Sequence, residues 1–134
     1  MLPAIYKRPL RQRISFAPTQ LAAATALEQC HEDVTANRAL YQHRATVLVQ
    51  ALRAAGWAVE APQATMFLWA AIPERYRALG AVNFATELLE NAGVAVAPGV
   101  GFGAGGEGFV RFSLIESDDR VRRAGEALAK LLKS

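Results

Sequence analysis

"VAPGVGFGAGGEGFVRFS", Val96–Ser113, holds six of the chain's ten glycines and runs into Arg111, set between Val110 and Phe112. Gly101, Gly103 and Gly106 match the pattern G-x-G-x-x-G. A dinucleotide site needs those glycines between a strand and a helix, so that a pyrophosphate rests on the helix N-terminus. Here they lead into "GFVRFSLI", a β-branched and aromatic run without helical spacing. The stretch therefore reads as strand, glycine loop, strand, and the match is one of chance. Arg111 becomes a charge at the edge of a core. Either its stem packs while its head reaches water, or its planar guanidinium clamps a carboxylate or phosphate. A glycine loop beside it suits the second reading, because glycine lets another group come close.

Outward from this stretch, the flanking segments complete an α/β pattern. Pro18 marks a boundary and Thr19 is placed to cap the helical run after it. From Gln20 to Ala55 there is no proline or glycine. Leu27, Val34, Tyr41 and Leu48 recur every seven residues, with Leu21, Ala24, Leu52 and Ala55 near the same face. This predicts one helix, or two nearly collinear helices broken near Cys30–Asp33. Unbroken, it would span about 54 Å, more than a small domain needs, so it expects a neighbour. Gly56 ends it. "WAVEA" and "TMFLWAAI" read as strands separated by Pro62-Gln63. Asn83 is placed to cap "FATELLENA", which Gly93 ends, and Ser117 to cap a last helix striped by Val121, Ala124, Leu128 and Leu131/Leu132. With "VAVAP" and "GFVRFSLI" this predicts helix, β, β, helix, β, β, helix. The fold class is α/β, an α+β sandwich with a long N-terminal helix and a small four-stranded sheet covered by helices.

Composition bounds the chemistry. A chain of 134 residues, 52% hydrophobic and 20% charged, makes one domain with a real core. No apolar run reaches the roughly 18 residues of a membrane span, and "MLPAIYKRPLRQR" has no secretory core. Cys30 stands alone, which excludes an internal disulfide and a cysteine metal cluster. A cytoplasmic location follows. The net charge of +3 gathers at Lys7, Arg8, Arg11 and Arg13. Without interleaved aromatics or a nucleic-acid motif, that cluster reads as a solvated leader. Neither nucleic acid nor membrane is expected as a partner.

The remaining polar residues have structural explanations. His31 and His43 lie twelve apart with no partner at ligand spacing, so they read as surface histidines and no metal site is expected. Glu32-Asp33 and Asp118-Asp119 sit at helix starts, where the dipole favours negative charge. Phe67 and Trp69 alternate with Met66 and Leu68, which fits a buried strand first and a ligand-pocket wall second. No serine, histidine and acid have a hydrolase's spacing.

From about Pro18 onward, the chain resembles the C-terminal part of class I/II pyridoxal-phosphate-dependent aminotransferases of fold type I. "PTQLAAATAL" resembles the family's entry to its interdomain helix, and "YQHRATVLVQALRAAGWAVEAPQATMFLWAAIP" the passage from that helix into the small-domain sheet. "FATELLENAGVAVAPGVGFGAGGEGFVRFSLIE" is similar to the region of the family's "aPG…FG…g…vR" pattern, closest to the alanine and LL-diaminopimelate aminotransferase branch. The resemblance covers roughly 115 residues. It divides the chain into an unmatched basic leader (1–17), a long interdomain helix (18–56) and a small domain (57–134).

By motif position, the resemblance implies that Arg111 holds the α-carboxylate of an amino acid or 2-oxo acid. Phe67 would line the substrate side, and Pro98, Gly99, Phe102 and Gly103 would shape the active-site loop. It implies pyridoxal 5'-phosphate in a full-length relative. It also implies homodimer formation or association with a large domain. The family's Schiff-base lysine, the aspartate on the pyridinium nitrogen and the phosphate-binding groups have no match here. Lys7, Lys130 and Lys133 are the only lysines, and none has the family's setting. No catalytic or cofactor-binding residue is therefore assigned, and the chain is expected to be an inactive C-terminal piece of an aminotransferase. Three alternatives stay open: a stand-alone dimerisation or interaction module, the aminotransferase-like domain of a transcription regulator, and a sister reaction such as a β-lyase or synthase.

Overall fold

The computed structural model describes residues 16–133, so the basic cluster at Lys7–Arg13 lies outside the described residues. Contacts divide the chain into two compact units, 1–38 and 39–134. In the first, helix α1 runs Ala17–Gln29 and α2 begins at His31. The break expected near Cys30 falls on that one residue, which leaves helical geometry with φ −99° and ψ 38°. Thr19 does not cap α1. Pro18 occupies the first turn, Phe16 is the N-cap, and no side chain caps the end. Leu21, Leu27 and Val34, the N-terminal half of the sevenfold stripe, are exposed.

The second unit takes in the rest of α2, which ends at Ala54. Leu48, Val49 and Leu52 of α2 are core residues of this unit. Strand β1 (Phe67–Ala71) follows, then a 3-10 turn (Glu74–Leu79) and helix α3 (Gly80–Ala92). Strand β2 (Ala97–Pro98), two 3-10 turns (Gly99–Phe102 and Ala104–Gly106), strand β3 (Phe109–Ser113) and helix α4 (Asp118–Lys133) complete the unit. The sheet is antiparallel, in the order β1-β3-β2.

The described sheet has three strands, not four. "WAVEA" forms no strand, and several of its polar groups bond outside the sheet ladder. The Arg53 guanidinium donates through Nε and Nη2 to the Val59 carbonyl at 2.9 and 2.7 Å. Trp57 Nε1 donates to the Ala71 carbonyl at 2.7 Å. Its ring, 2% exposed, meets Phe84 and Phe112 edge-on at 5.5 and 5.7 Å. The segment thus contributes side chains to the core rather than a rung to the ladder.

One face of the sheet, Leu68, Ala70, Val110 and Phe112, is buried with Leu48, Leu52, Phe84, Leu88, Val121, Leu128 and Leu132 of α2, α3 and α4. Period-two alternation turns Phe67, Trp69, Phe109 and Arg111 to the other face. The result is two layers, helices on one side of a small sheet.

The helix ends position the loops. α3 ends at Gly93, whose N–H donates to the Leu89 carbonyl and whose left-handed φ of 66° turns the Val94 N–H back to the Leu88 carbonyl. Ser117 Oγ accepts from the Arg120 N–H at 3.4 Å, capping α4 as expected. Asn83 is not the α3 cap; it lies in the first turn, its Nδ2 donating to the Leu79 carbonyl. The cap comes from the glycine loop: Glu107 Oε1 accepts from the Ala81 N–H at 2.7 Å and from the Gly108 N–H at 3.3 Å. A carboxylate on a helix N-terminus is favoured by both the hydrogen bond and the dipole. Glu107→Ala is therefore expected to cost about 1 kcal/mol, measured as a lower urea midpoint at unchanged slope.

Candidate functional site

Arg111 lies mid-strand in β3, opposite Trp69 of β1 and Ala97 of β2. Its guanidinium carbon is 4.0 Å from the centre of the Phe67 ring and 4.1 Å from that of Phe102. Phe67 comes from the start of β1, Phe102 from the 3-10 turn after β2. Trp69 extends the aromatic row, edge-on to Phe102 at 5.7 Å and stacked on Phe109 at 5.8 Å. Trp69 is 40% exposed and Phe102 53%. The buried-strand reading of β1 therefore holds for Leu68 and Ala70 only, and its outer face is an open aromatic wall.

Among the described residues, Arg111 makes no hydrogen bond and no ion pair. Arg44, Arg53 and Arg75, by contrast, use their donors. Arg44 donates to Asp118 Oδ1 at 2.7 Å and to the Leu114 carbonyl at 3.0 Å. Arg53 is engaged with Val59, and Arg75 with the Leu132 carbonyl at the end of α4. Arg111 is thus a half-buried, always-charged fork whose donors are unused among the described residues, a chemistry suited to anions.

The six candidate site residues of the sequence come together in one corner. Pro98 pairs with Val110 in β2. Gly99 opens the turn that delivers Phe102, and Gly103 comes directly after it. The glycines are explained by a backbone crossing. Gly99 and Gly106 are both buried, and a Cβ on either would fall on the other's carbonyl. A Cβ on Gly99 would also approach the Phe109 carbonyl at 2.8 Å. That crossing folds the loop back so that Phe102 reaches Arg111 and Glu107 reaches α3. Two further members of this corner, Trp69 and Gly106, are not among those six candidates, although the second reading of Trp69 is a pocket wall. Trp69 is legible in the alternation 67, 69, 71, but the partner of Gly99 has no local sign.

The described residues do not fit pyridoxal phosphate as a bound group. Lys130 and Lys133, the described lysines, are exposed on α4, behind the buried face of the sheet. Arg111 is on the face turned away from them. The described residues include no group of His, Cys, Asp and Glu able to hold a metal ion. A hollow of about 620 Å³ lies near α4, floored by Leu48, Phe112, Val121 and Ala124. Its arginines, Arg120 and Arg123, are already paired with Glu116 and Asp119. On the same helix Arg122 bridges Asp119 and Glu126, and these carboxylates raise its pKa above the usual arginine value. No described helix is long and apolar enough to cross a membrane.

Known proteins are similar to this chain in sequence and fold. The family model for class I and II aminotransferases matches residues 5–128, reaching into the stretch set apart as an unmatched leader. The chain is 46% identical over 123 residues to the glutamate-pyruvate aminotransferase AlaC of Escherichia coli (strain K12), covering 90% of this chain and 29% of that protein. It is 44% identical over 115 residues to an LL-diaminopimelate aminotransferase of Dehalococcoides mccartyi (strain ATCC BAA-2100), covering 86% of this chain and 29% of that protein. The structure resembles the aromatic aminotransferase of Pyrococcus horikoshii with a TM-score of 0.75 and 32% identity, over 85% of this chain and 31% of that one. The chain thus spans about 30% of the length of the relatives it matches. Members of this family use pyridoxal phosphate. A match from residue 5 to residue 128, supported by fold and by sequence identity above 40%, makes this chain a member of the class I and II aminotransferase family.

Proposed function

We propose that this chain supplies the substrate-carboxylate clamp of an aminotransferase that moves an amino group from an amino acid to a 2-oxo acid. The observation that carries this reading is Arg111, a half-buried guanidinium without a hydrogen-bonded partner among the described residues, placed between two aromatic rings. A carboxylate bound by the fork fixes the substrate at one end and leaves the amino-bearing carbon directed away from the sheet. Orientation of that kind lowers the barrier before any bond changes. Pro98, Gly99, Phe102 and Gly103 shape the loop at the rim.

Pyridoxal phosphate carries the amino group in such enzymes, and that chemistry belongs to residues other than those described here. On this reading 18–56 serves as an interdomain helix and 57–134 as the small domain. The partner is a large domain or a second copy, and the setting is the cytoplasm.

The test is an acetate titration of nitrogen-15-labelled chain at constant ionic strength, followed at the Arg111 side-chain N–H. A saturable shift with a dissociation constant on the order of 10 mM is expected, from one charge-assisted bidentate contact in water. A response that is linear, or equal at Arg53 and Arg75, would sink the reading.

A further inference from the structure

The two rings on Arg111 do more than line a pocket. Guanidinium is a flat cation with two π faces and a rim of N–H donors in its plane. The guanidinium carbon lies over both rings, 4.0 Å from the centre of Phe67 and 4.1 Å from that of Phe102. Phe102 is itself braced, because Trp69 meets it edge-on at 5.7 Å and is stacked on Phe109. The bracing matters because a long, flexible side chain without a hydrogen-bonded partner would otherwise sample several rotamers. Ordering it on binding would then cost affinity.

We infer that Phe67 and Phe102 are positioning residues that hold the Arg111 guanidinium flat and leave its in-plane edge as the only open approach, so that the site selects planar, two-oxygen anions over spherical ones. This deepens the carboxylate reading and rests on it. It also alters the role expected of Phe67. The ring's face is occupied by the guanidinium, so its contribution to the substrate passes through Arg111.

A carboxylate arriving in the guanidinium plane engages two N–H groups at once, whereas a halide gains nothing from planarity. Loosening the sandwich should therefore weaken acetate much more than chloride. A residue that mattered only for packing would change both together, or neither.

The experiment compares acetate and chloride affinities in the wild-type chain, Phe102→Leu, Phe102→Tyr and Phe67→Leu, read at the Arg111 side-chain N–H. Phe102 is more than half exposed, so its variants are expected to fold, and matched thermal midpoints check this. Each leucine variant should bind acetate about fivefold more weakly, in line with the loss of one cation–π contact. Chloride should change by less than about twofold. Tyrosine, which restores a ring, should return acetate affinity and the acetate-to-chloride ratio to wild-type values. The ring currents of two stacked phenyls should also displace the free Arg111 N–H signal in wild type and tyrosine but not in leucine. Equal acetate affinity and an unchanged ratio in the leucine variants would overturn the positioning role while leaving the carboxylate reading standing. Absence of acetate binding in wild type would overturn that reading itself, whatever the ring currents show.

Discussion

Alanine at Gly106 is expected to lower the stability of the folded chain by about 3 kcal/mol or more, the upper range for forcing atoms into a closed site. The reason is backbone against backbone. The new methyl would land on the Gly99 carbonyl, and neither segment is a flexible side-chain end that can swing away. Gly99 is tied to β2 through its neighbour Pro98, and the Phe109 carbonyl crowds it as well. Relief would have to move the loop that carries Phe102 and Glu107. The variant should therefore lose the α3 cap and the Arg111 sandwich together. Gly105→Ala is the internal control. It is the adjacent residue, nothing lies within 4 Å of its added Cβ, and its backbone is not in the left-handed region. It should be neutral or slightly stabilising, by a few tenths of a kcal/mol, through a stiffer unfolded chain. Urea midpoints of the two variants measure the difference. Similar midpoints would mean that the crossing does not hold the loop.

Replacing Arg111 with glutamine should weaken acetate binding about 10- to 100-fold, the equivalent of losing hydrogen bonds to a charged partner worth about 1.5–3 kcal/mol. Lysine keeps the charge but not the planar fork, and it cannot lie flat between Phe67 and Phe102 in the same way. Arg111→Lys should therefore recover only part of the loss and should bind acetate and chloride with little distinction. Stability should change little in either variant, because Arg111 forms no hydrogen bond or ion pair that its removal would orphan among the described residues. A large loss of stability with unchanged acetate affinity would identify Arg111 as a packing residue instead.

Local signals make much of the fold legible in the sequence. Gly93 after an apolar stripe, Ser117 before Asp118-Asp119, and the proline-free run broken at Cys30 each report on residues within one or two turns. The features that escape such reading depend on distant partners. Trp57 and Val59 have a strand's composition, yet the Val59 carbonyl is claimed by Arg53 and the Trp57 backbone N–H by the Leu52 carbonyl, so these groups are not available to a ladder. Asn83 is a good cap by type, but Glu107 reaches α3 first from 26 residues away. At the site, Arg111 is visible as an arginine flanked by apolar residues in a strand. Its two covering rings come from 44 residues before it and 9 before it, and only the antiparallel register and the loop crossing bring them to the same point.

The proposed division of labour has these residues hold the substrate's carboxylate while the cofactor's covalent partner lies elsewhere. It is tested most directly by mixing the pure chain with pyridoxal phosphate, reducing with borohydride and mapping any modified lysine by mass spectrometry. No stoichiometric adduct is expected on Lys7, Lys130 or Lys133, and no transamination by the same preparation. A single lysine modified to completion would mean that this chain builds its own cofactor site, and would overturn the proposed division.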